Sequence, residues 1–547
     1  MTASWILGKG RPTARPAIMG TGGMASAGHP LAAQSAIRVL MKGGNVVDAA
    51  VAASAVLAVA RPHMTGIGGD LFCLVYLARE GKVVAVNASG AAPQTATIDL
   101  FRQRGAHHVP MRGPLSVATP GCVAGWDLVL RRFGTMALGD LLEDAIAYAE
   151  NGVPVSPHLA QAILEGSREP NVFPAWASAF TPGGKPPRVG ERLKLPALAR
   201  TLRSIQEGGA DAFYRGPIAE EIDAFMQKEG GLLAKEDLAA CEAEELAPVQ
   251  VDYRGYTVYE QPPVSQGHLL LQELAIAEGF DLAALGPDSP EAIHLMVECK
   301  KLAFADRLRY MGDPAKVKVP LDELISKEYS SQRRKSIDPE RAIIAAAPGA
   351  VAAQGRDTTH HCLMDAEGNC VTMIQSLFKS FGSGVVVGDT GITLNNRLAN
   401  FFLDPAHPNS LAPGKRTIHT LNTFMMFREG RPFLVGGTPG ADDQVQVNFQ
   451  IVSDLVDHGM SLQEAIEAPR WSSTPGTLPS EIADPYELRM EQGFSEKVLE
   501  GLRQRGHNVK MVGARAFGSV SAVMMDPESG VLYGGSDPRR DGYAAGW

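Results

Sequence analysis

Apolar residues between His29 and Lys42 recur at helical spacing, and the run stops at Gly43-Gly44. Asn45 is placed to cap a second helix, which continues through an alanine-rich stretch to Arg61-Pro62. The small side chains of that helix predict close packing against its neighbours. The pattern then turns to strand. Leu71 to Leu77, a turn at Glu80-Gly81-Lys82, and Val83 to Asn87 predict a hairpin. Helical spacing returns over Leu138 to Asn151, Leu195 to Glu207, Gly267 to Gly279 and Pro290 to Tyr310. Pro262-Pro263 and Gly286-Pro287 punctuate these helices.

From Ile343 to Asp357 the residues are small and barely patterned, which predicts an exposed loop. Strand signals follow. His361 to Met364 and Cys370 to Gln375 flank a turn containing Gly368, and further strands are expected at Thr423 to Phe427, Pro432 to Val435 and Val520 to Met525. A helix is expected at Val445 to Asp457. The chain thus reads as a helix-rich first part, a flexible join and a strand-rich second part. Thr358-Thr359 stands where the join meets the first strand.

Composition adds exclusions. A chain of 547 residues with 45% hydrophobic and 20% charged content is ordinary for a globular protein. The net charge of −9 is spread along the chain, so there is no basic stripe for nucleic acid. Lys9, Arg11 and Arg15 are followed by no long apolar run, against a secretory signal, and Val46 to Ala60 is too short and too weakly apolar to span a membrane. A soluble cytoplasmic protein is expected. The six cysteines form no C-x-x-C pair, so neither a zinc ribbon nor a redox motif is signalled, and no cofactor is expected.

The threonine at the join can carry chemistry. A threonine hydroxyl is a poor nucleophile without a base, and an N-terminal threonine supplies its own α-amine. That amine titrates at roughly 7.7–8.0, so part of it is neutral near neutral pH. The precursor must first cut itself: the hydroxyl attacks the preceding carbonyl, and water hydrolyses the ester. By pattern alone, two β-branched residues opening a strand are better explained by the sheet itself.

Longer motifs go further. Asp357-Thr358-Thr359-His360, Phe381-Gly382-Ser383-Gly384, Leu394-Asn395-Asn396, Pro413-Gly414-Lys415-Arg416 and Gly436-Gly437-Thr438-Pro439-Gly440 occur in that order. Before them stand His29-Pro30-Leu31-Ala32, Gly43-Gly44-Asn45 and Gly66-Ile67-Gly68-Gly69-Asp70. The set resembles the γ-glutamyltranspeptidase family over nearly the whole chain. The resemblance implies an α/β N-terminal-nucleophile fold, an αββα sandwich of two β-sheets between helical layers, built as a heterodimer from one self-cleaved precursor. Residues 1–357 would form the large subunit and 358–547 the small one, cut between Asp357 and Thr358. The join would be the segment released to open the pocket. The resemblance allows such heterodimers to pair further.

Roles carry over by position. Thr358 would be the nucleophile. Ser376 stands where the family has a threonine whose hydroxyl bonds the nucleophile. Gly440 and Ala441 stand where two glycines donate backbone N–H groups to the oxyanion, and loss of one such donor costs about 3–4 kcal/mol. The departures concern the substrate. Ser89 replaces the arginine that takes an α-carboxylate, removing a charged clamp. Arg397 and Asn400 replace the glutamine and aspartate that hold an α-amine. His419 and Thr420 replace two serines, and Phe378 stands where an asparagine is usual. This pocket suits an anion without an amino head: Arg397 with His419 would clamp a carboxylate, or Arg397 would serve a structural ion pair. The expected substrate is a small carboxylate-bearing amide such as oxamate, hydrolysed through an acyl-threonine. The alternatives are a glutathione hydrolase or γ-glutamyltransferase, a glutaryl-cephalosporin acylase, and an uncleaved binding homologue.

Other features weigh less. His360, His361 and Cys362 alternate faces of a strand and cannot converge on one metal. Cys362 as a nucleophile lacks a base. Gly66 to Asp70 lacks nucleotide-loop spacing and is expected to be a packing turn. Asp48 is expected to be a satisfied buried carboxylate. Asp537 to Asp541 is expected to be a solvated or inter-subunit salt-bridge segment.

Overall fold

The computed structural model describes residues 8–169, 172–344, 358–480 and 484–547. The join from 345 to 357, including Asp357, lies outside the described residues.

Two seven-stranded antiparallel sheets form the centre. In one, the strand order is Tyr543–Gly546, Gly23–Ala27, Thr359–Asp365, Cys370–Ser376, Asp70–Leu77, Lys82–Ala88 and Glu244–Leu246. In the other it is Ile18–Gly20, Leu532–Ser536, Ser521–Met525, Arg431–Gly437, Phe424–Arg428, Tyr256–Glu260 and Val249–Tyr253. The sheets face each other across Met24, Leu74, Cys362, Met364, Met425 and Val435. Helices Pro30–Met41, Val46–Ala60 and Cys122–Phe133 cover the outer face of the first sheet, and His268–Ala277, Pro290–Tyr310 and Asp443–Val456 cover the second. This is the expected four-layer αββα sandwich.

Local chemistry explains the elements next to the site. Asn45 Oδ1 accepts from the N–H groups of Val47 and Asp48, and Asp48 accepts from the N–H of Asn45, a reciprocal cap. Asp48 also accepts from the backbone of Thr135 and Met136 and from Thr135 Oγ1, so its buried carboxylate is satisfied. The alanine-rich helix behind that cap is buried over its whole length, and it contacts both central strands of the first sheet.

The structure departs from the sequence reading in three ways. The first part of the chain is not strand-poor: seven of the fourteen strands precede Thr358. Gly23–Ala27, four small residues and Met24, is buried on every side and shows no apolar alternation, whereas the edge strand Val249–Tyr253 does alternate as V-Q-V-D-Y and was passed over. The segment from Leu138 to Asn151 breaks into two helices at Leu142, and the helix expected to end near Glu207 continues to Tyr214 through a kink at Gly209 (φ 64°). Finally, Asp537 and Arg539 are not solvated. They form a buried network in which Arg470 meets Asp537 at 2.7 Å and Arg539 meets Glu491 at 2.5 Å. Asp541 does cross to the first part, accepting from Ser156 Oγ at 2.8 Å and contacting His158. Among the described residues, no helix is long and apolar enough to cross a membrane.

Leu74 sits with zero exposure between the sheets. Leu74→Ala is expected to lower stability by about 2–5 kcal/mol, read as a shift in the denaturation midpoint by circular dichroism.

Candidate active site

Register places the threonine. Thr359 pairs with Gln375, so Thr358 stands beside Ser376, and Ser376 pairs on its other side with Asp70. Directly opposed residues of antiparallel strands share a face. Thr358, Ser376 and Asp70 therefore form one row across three central strands. Thr358 Oγ1 donates to Ser376 Oγ at 3.2 Å, and Ser376 Oγ accepts from the N–H of Phe378 at 2.7 Å. Thr358 is 1% exposed. The strands can close this tightly because position 69 is glycine: a Cβ there would lie 2.3 Å from the Ser376 carbonyl oxygen.

Gly440 and Ala441 lie on the turn that opens helix Asp443–Val456. Their carbonyls accept from the N–H groups of Asp443 and Gln444. Among the described residues nothing takes up the N–H of Gly440 or Ala441. Both have positive φ, 138° and 50°, a backbone that turns their amides away from an ordinary helical start. The turn is pinned from behind. Arg307 meets Asp442 at 2.8 Å, and Gln266 Nε2 donates to the Ala441 carbonyl at 2.9 Å. Gln444, the second residue of the helix, donates to Thr358 Oγ1 at 3.5 Å. The helix N-terminus thus brings amide donors and a partial positive charge towards Thr358. A cavity of about 30 Å³ opens beside Gly440, bordered by Met64, Asp443, Gly518 and Arg540.

The expected substrate residues divide. Arg397 is fully buried, and its Nε donates to Asp70 Oδ2 at 3.1 Å. Its guanidinium lies over the Phe378 ring, 4.6 Å from the centroid, while neither Nη1 nor Nη2 has a hydrogen-bond partner among the described residues. Phe378 has φ 85°, an uncommon strain for an aromatic residue, and packs with Ala399 and Leu478. His419 Nε2 lies 4.0 Å from Asp70 Oδ2. Burial, reinforced by Arg397, holds the His419 pKa well below the usual histidine range. The charged form of His419 is thus disfavoured, and neither of its ring nitrogens has a hydrogen-bond partner among the described residues.

Three others serve the backbone. Ser89 Oγ donates to Asn87, and its carbonyl accepts from Arg416 Nε. Asn400 Nδ2 donates to the Ile418 carbonyl, and the Thr420 carbonyl accepts from Gln266 and Asn422. Sequence reasoning passed over Asp70 and Gln444. The signal for Asp70 was present: a carboxylate heads an otherwise apolar strand, directly after Gly68-Gly69.

His360 and His361 point to opposite faces, towards Thr372 and towards the Ala50 carbonyl. Elsewhere among the described residues, His294, Glu298 and His507 lie close enough to share a cation. Lys301 Nζ is 2.7 Å from Glu298 and already fills the place of the positive charge.

The comparisons with known proteins follow the same geometry. The gamma-glutamyltranspeptidase family model matches residues 32–547. The chain belongs to the γ-glutamyltranspeptidase family. It is 41% identical over 535 residues to the glutathione hydrolase-like YwrD proenzyme of Bacillus subtilis, covering 97% of this chain and 99% of that one. It is 37% identical to the oxamate amidohydrolase proenzyme of Klebsiella pneumoniae, covering 96% and 99%. Among solved structures it resembles cephalosporin acylase from Bacillus halodurans, with a TM-score of 0.91, 38% identity and 98% coverage of both chains. Membership makes the sandwich an N-terminal-nucleophile hydrolase fold and the chain an amide hydrolase of proenzyme type.

For this family member, Ser376→Ala removes the hydroxyl that links Thr358 to the Phe378 amide. Amide turnover is expected to fall about 10–100-fold with the fold intact, measured as kcat on the purified enzyme.

Proposed function

We propose that the protein cuts its own chain before Thr358 and then hydrolyses the amide of a small carboxylate-bearing substrate, oxamate being the first choice. The single observation that carries the substrate reading is Arg397: a buried guanidinium paired with Asp70, at the end of the row that Thr358 opens, with two unengaged terminal nitrogens. Both oxygens of Asp70 are occupied, Oδ1 by the Gly90 N–H and Oδ2 by Arg397, so an α-ammonium group gains no carboxylate there. The named oxamate amidohydrolase among the relatives supports the reading.

In this mechanism the freed α-amine of Thr358 takes the proton of Oγ1 as the oxygen attacks the substrate carbonyl. The N–H groups of Gly440 and Ala441 receive the oxyanion. The amine then returns the proton to the leaving nitrogen, and ammonia departs. Water attacks the acyl-threonine by the same route and releases the carboxylic acid. The earlier self-cleavage, at Asp357–Thr358, leaves 1–357 and 358–547 as the subunits. Arg397, stacked on Phe378, takes the substrate carboxylate, and His419 adds a neutral donor.

A denaturing gel of purified protein is expected to show fragments of about two-thirds and one-third of the chain, the smaller beginning T-T-H-H-C. Thr358→Ala should give one band and no turnover. A single persistent band in the wild type would favour the binding homologue instead. Ammonia release should be faster from oxamate than from glutaramate, and γ-glutamyl-p-nitroanilide should be a poor substrate. Brisk turnover of the latter, with transfer to glycylglycine, would overturn the reading of Ser89 and Arg397. The acid limb of kcat/KM should rise as the amine loses its proton, around pH 7.7–8.0 in the absence of other influences.

A further inference from the structure

We propose that Asp70 is a positioning residue that sets acyl-group specificity, holding Arg397 by its Nε so that the two terminal nitrogens are left for the carboxylate of the substrate. The inference rests on the reading of Arg397 given above and assigns a role to a residue outside the family's nucleophile and oxyanion machinery.

The geometry is built, not incidental. Gly69 lets the head of strand Asp70–Leu77 come close against Ser376, and that approach delivers the Asp70 side chain to the active-site face. The carboxylate is anchored on the other side by the Gly90 N–H at 3.3 Å. Position 90 must itself be glycine, because a Cβ there would lie 1.7 Å from the Thr119 carbonyl oxygen. Arg397 is fixed at its backbone, where its N–H donates to Asn395 Oδ1 at 3.0 Å, and at one face, by Phe378. With Nε on Asp70 Oδ2, three of the constraints on a planar guanidinium are set. What remains is the edge formed by Nη1 and Nη2, which matches the two oxygens of a carboxylate.

A buried guanidinium with two unmet donors is costly unless a ligand completes it. The two ring nitrogens of His419 are likewise without a hydrogen-bond partner among the described residues, and Nε2 stands 4.0 Å from the same carboxylate. Unmet polar atoms are therefore clustered around one charge pair. Asp70 keeps Arg397 charged and oriented before substrate arrives, and what the pair still lacks is an acceptor for Nη1 and Nη2. Burial raises the Asp70 pKa to about 6, against the opposing pull of Arg397, which shows how dry the pair is.

The test uses the purified, self-cleaved enzyme with oxamate as the probe. Asp70→Asn is expected to raise KM about tenfold or more and to change kcat less than about threefold, with both fragments still present on a gel. In an Arg397→Gln background, Asp70→Asn should add less than about twofold, because it acts through a group already removed. A structural residue would instead lower stability equally in both backgrounds. If Arg397→Gln raises KM and Asp70→Asn does not, the positioning role is wrong while the reading of Arg397 stands. If Arg397→Gln leaves KM unchanged, that reading fails and the inference fails with it. A fall in KM on Asp70→Asn would mean that Asp70 competes for Arg397 rather than holding it, and would also overturn the proposal. Should Asp70→Asn give no fragments, Asp70→Glu retains the charge on a longer arm. It should raise KM several-fold, and an unchanged KM would count against the role.

Discussion

Everything at this site depends on the register of one strand pair. Thr359–Asp365 is hydrogen-bonded on both sides, to Cys370–Ser376 and to Gly23–Ala27, so it cannot slide without breaking two ladders. A slip of one residue would turn every side chain to the other face. Thr358 would leave Ser376, Cys362 and Met364 would leave the core between the sheets, and His360 would lose Thr372. The position of Thr358 is thus stabilised by apolar burial far from its hydroxyl.

The second layer of control is electrostatic. Around the row Thr358–Ser376–Asp70, charges are held in pairs away from water: Asp70 with Arg397, and Asp442 with Arg307. Breaking one partner of such a pair leaves an uncompensated buried charge, a loss of about 3–5 kcal/mol. The first pair ends the row that Thr358 opens, and the second braces the turn of Gly440 and Ala441. In the proposed reaction, substrate contacts and oxyanion donors would be tuned by separate carboxylates, one at a strand head and one at a helix start.

Much of this was legible in the sequence, and the limits have physical causes. Long periodic segments such as Pro290 to Tyr310 read correctly, because a buried helix of 21 residues carries its own spacing. The motif order from Gly66 to Gly440 gave the family and hence the sandwich. The strand Gly23–Ala27 was invisible, since its neighbours rather than its own side chains make it a strand. Arg397 was singled out but its partner was not: Asp70 lies more than three hundred residues away and looked like part of a turn. His419 was paired with Arg397 as a clamp, and a sequence shows the residue type but not the burial that disfavours its charged form. Ser89, Asn400 and Thr420 were chosen by position alone, and position does not reveal that Ser89 Oγ bonds the Asn87 side chain or that Asn400 Nδ2 bonds the Ile418 carbonyl.

The alternation of strands from either side of Thr358 has a topological outcome. Gly23–Ala27 lies between Tyr543–Gly546 and Thr359–Asp365, and Ile18–Gly20 borders Leu532–Ser536. A nicked molecule would stay knitted together, since pulling the halves apart means unzipping ladders in both sheets at once. Neither half, made alone by a ribosome, has a complete sheet to fold onto. The two polypeptides can be born only as one, and after the cut they share a single folding history that neither could repeat by itself.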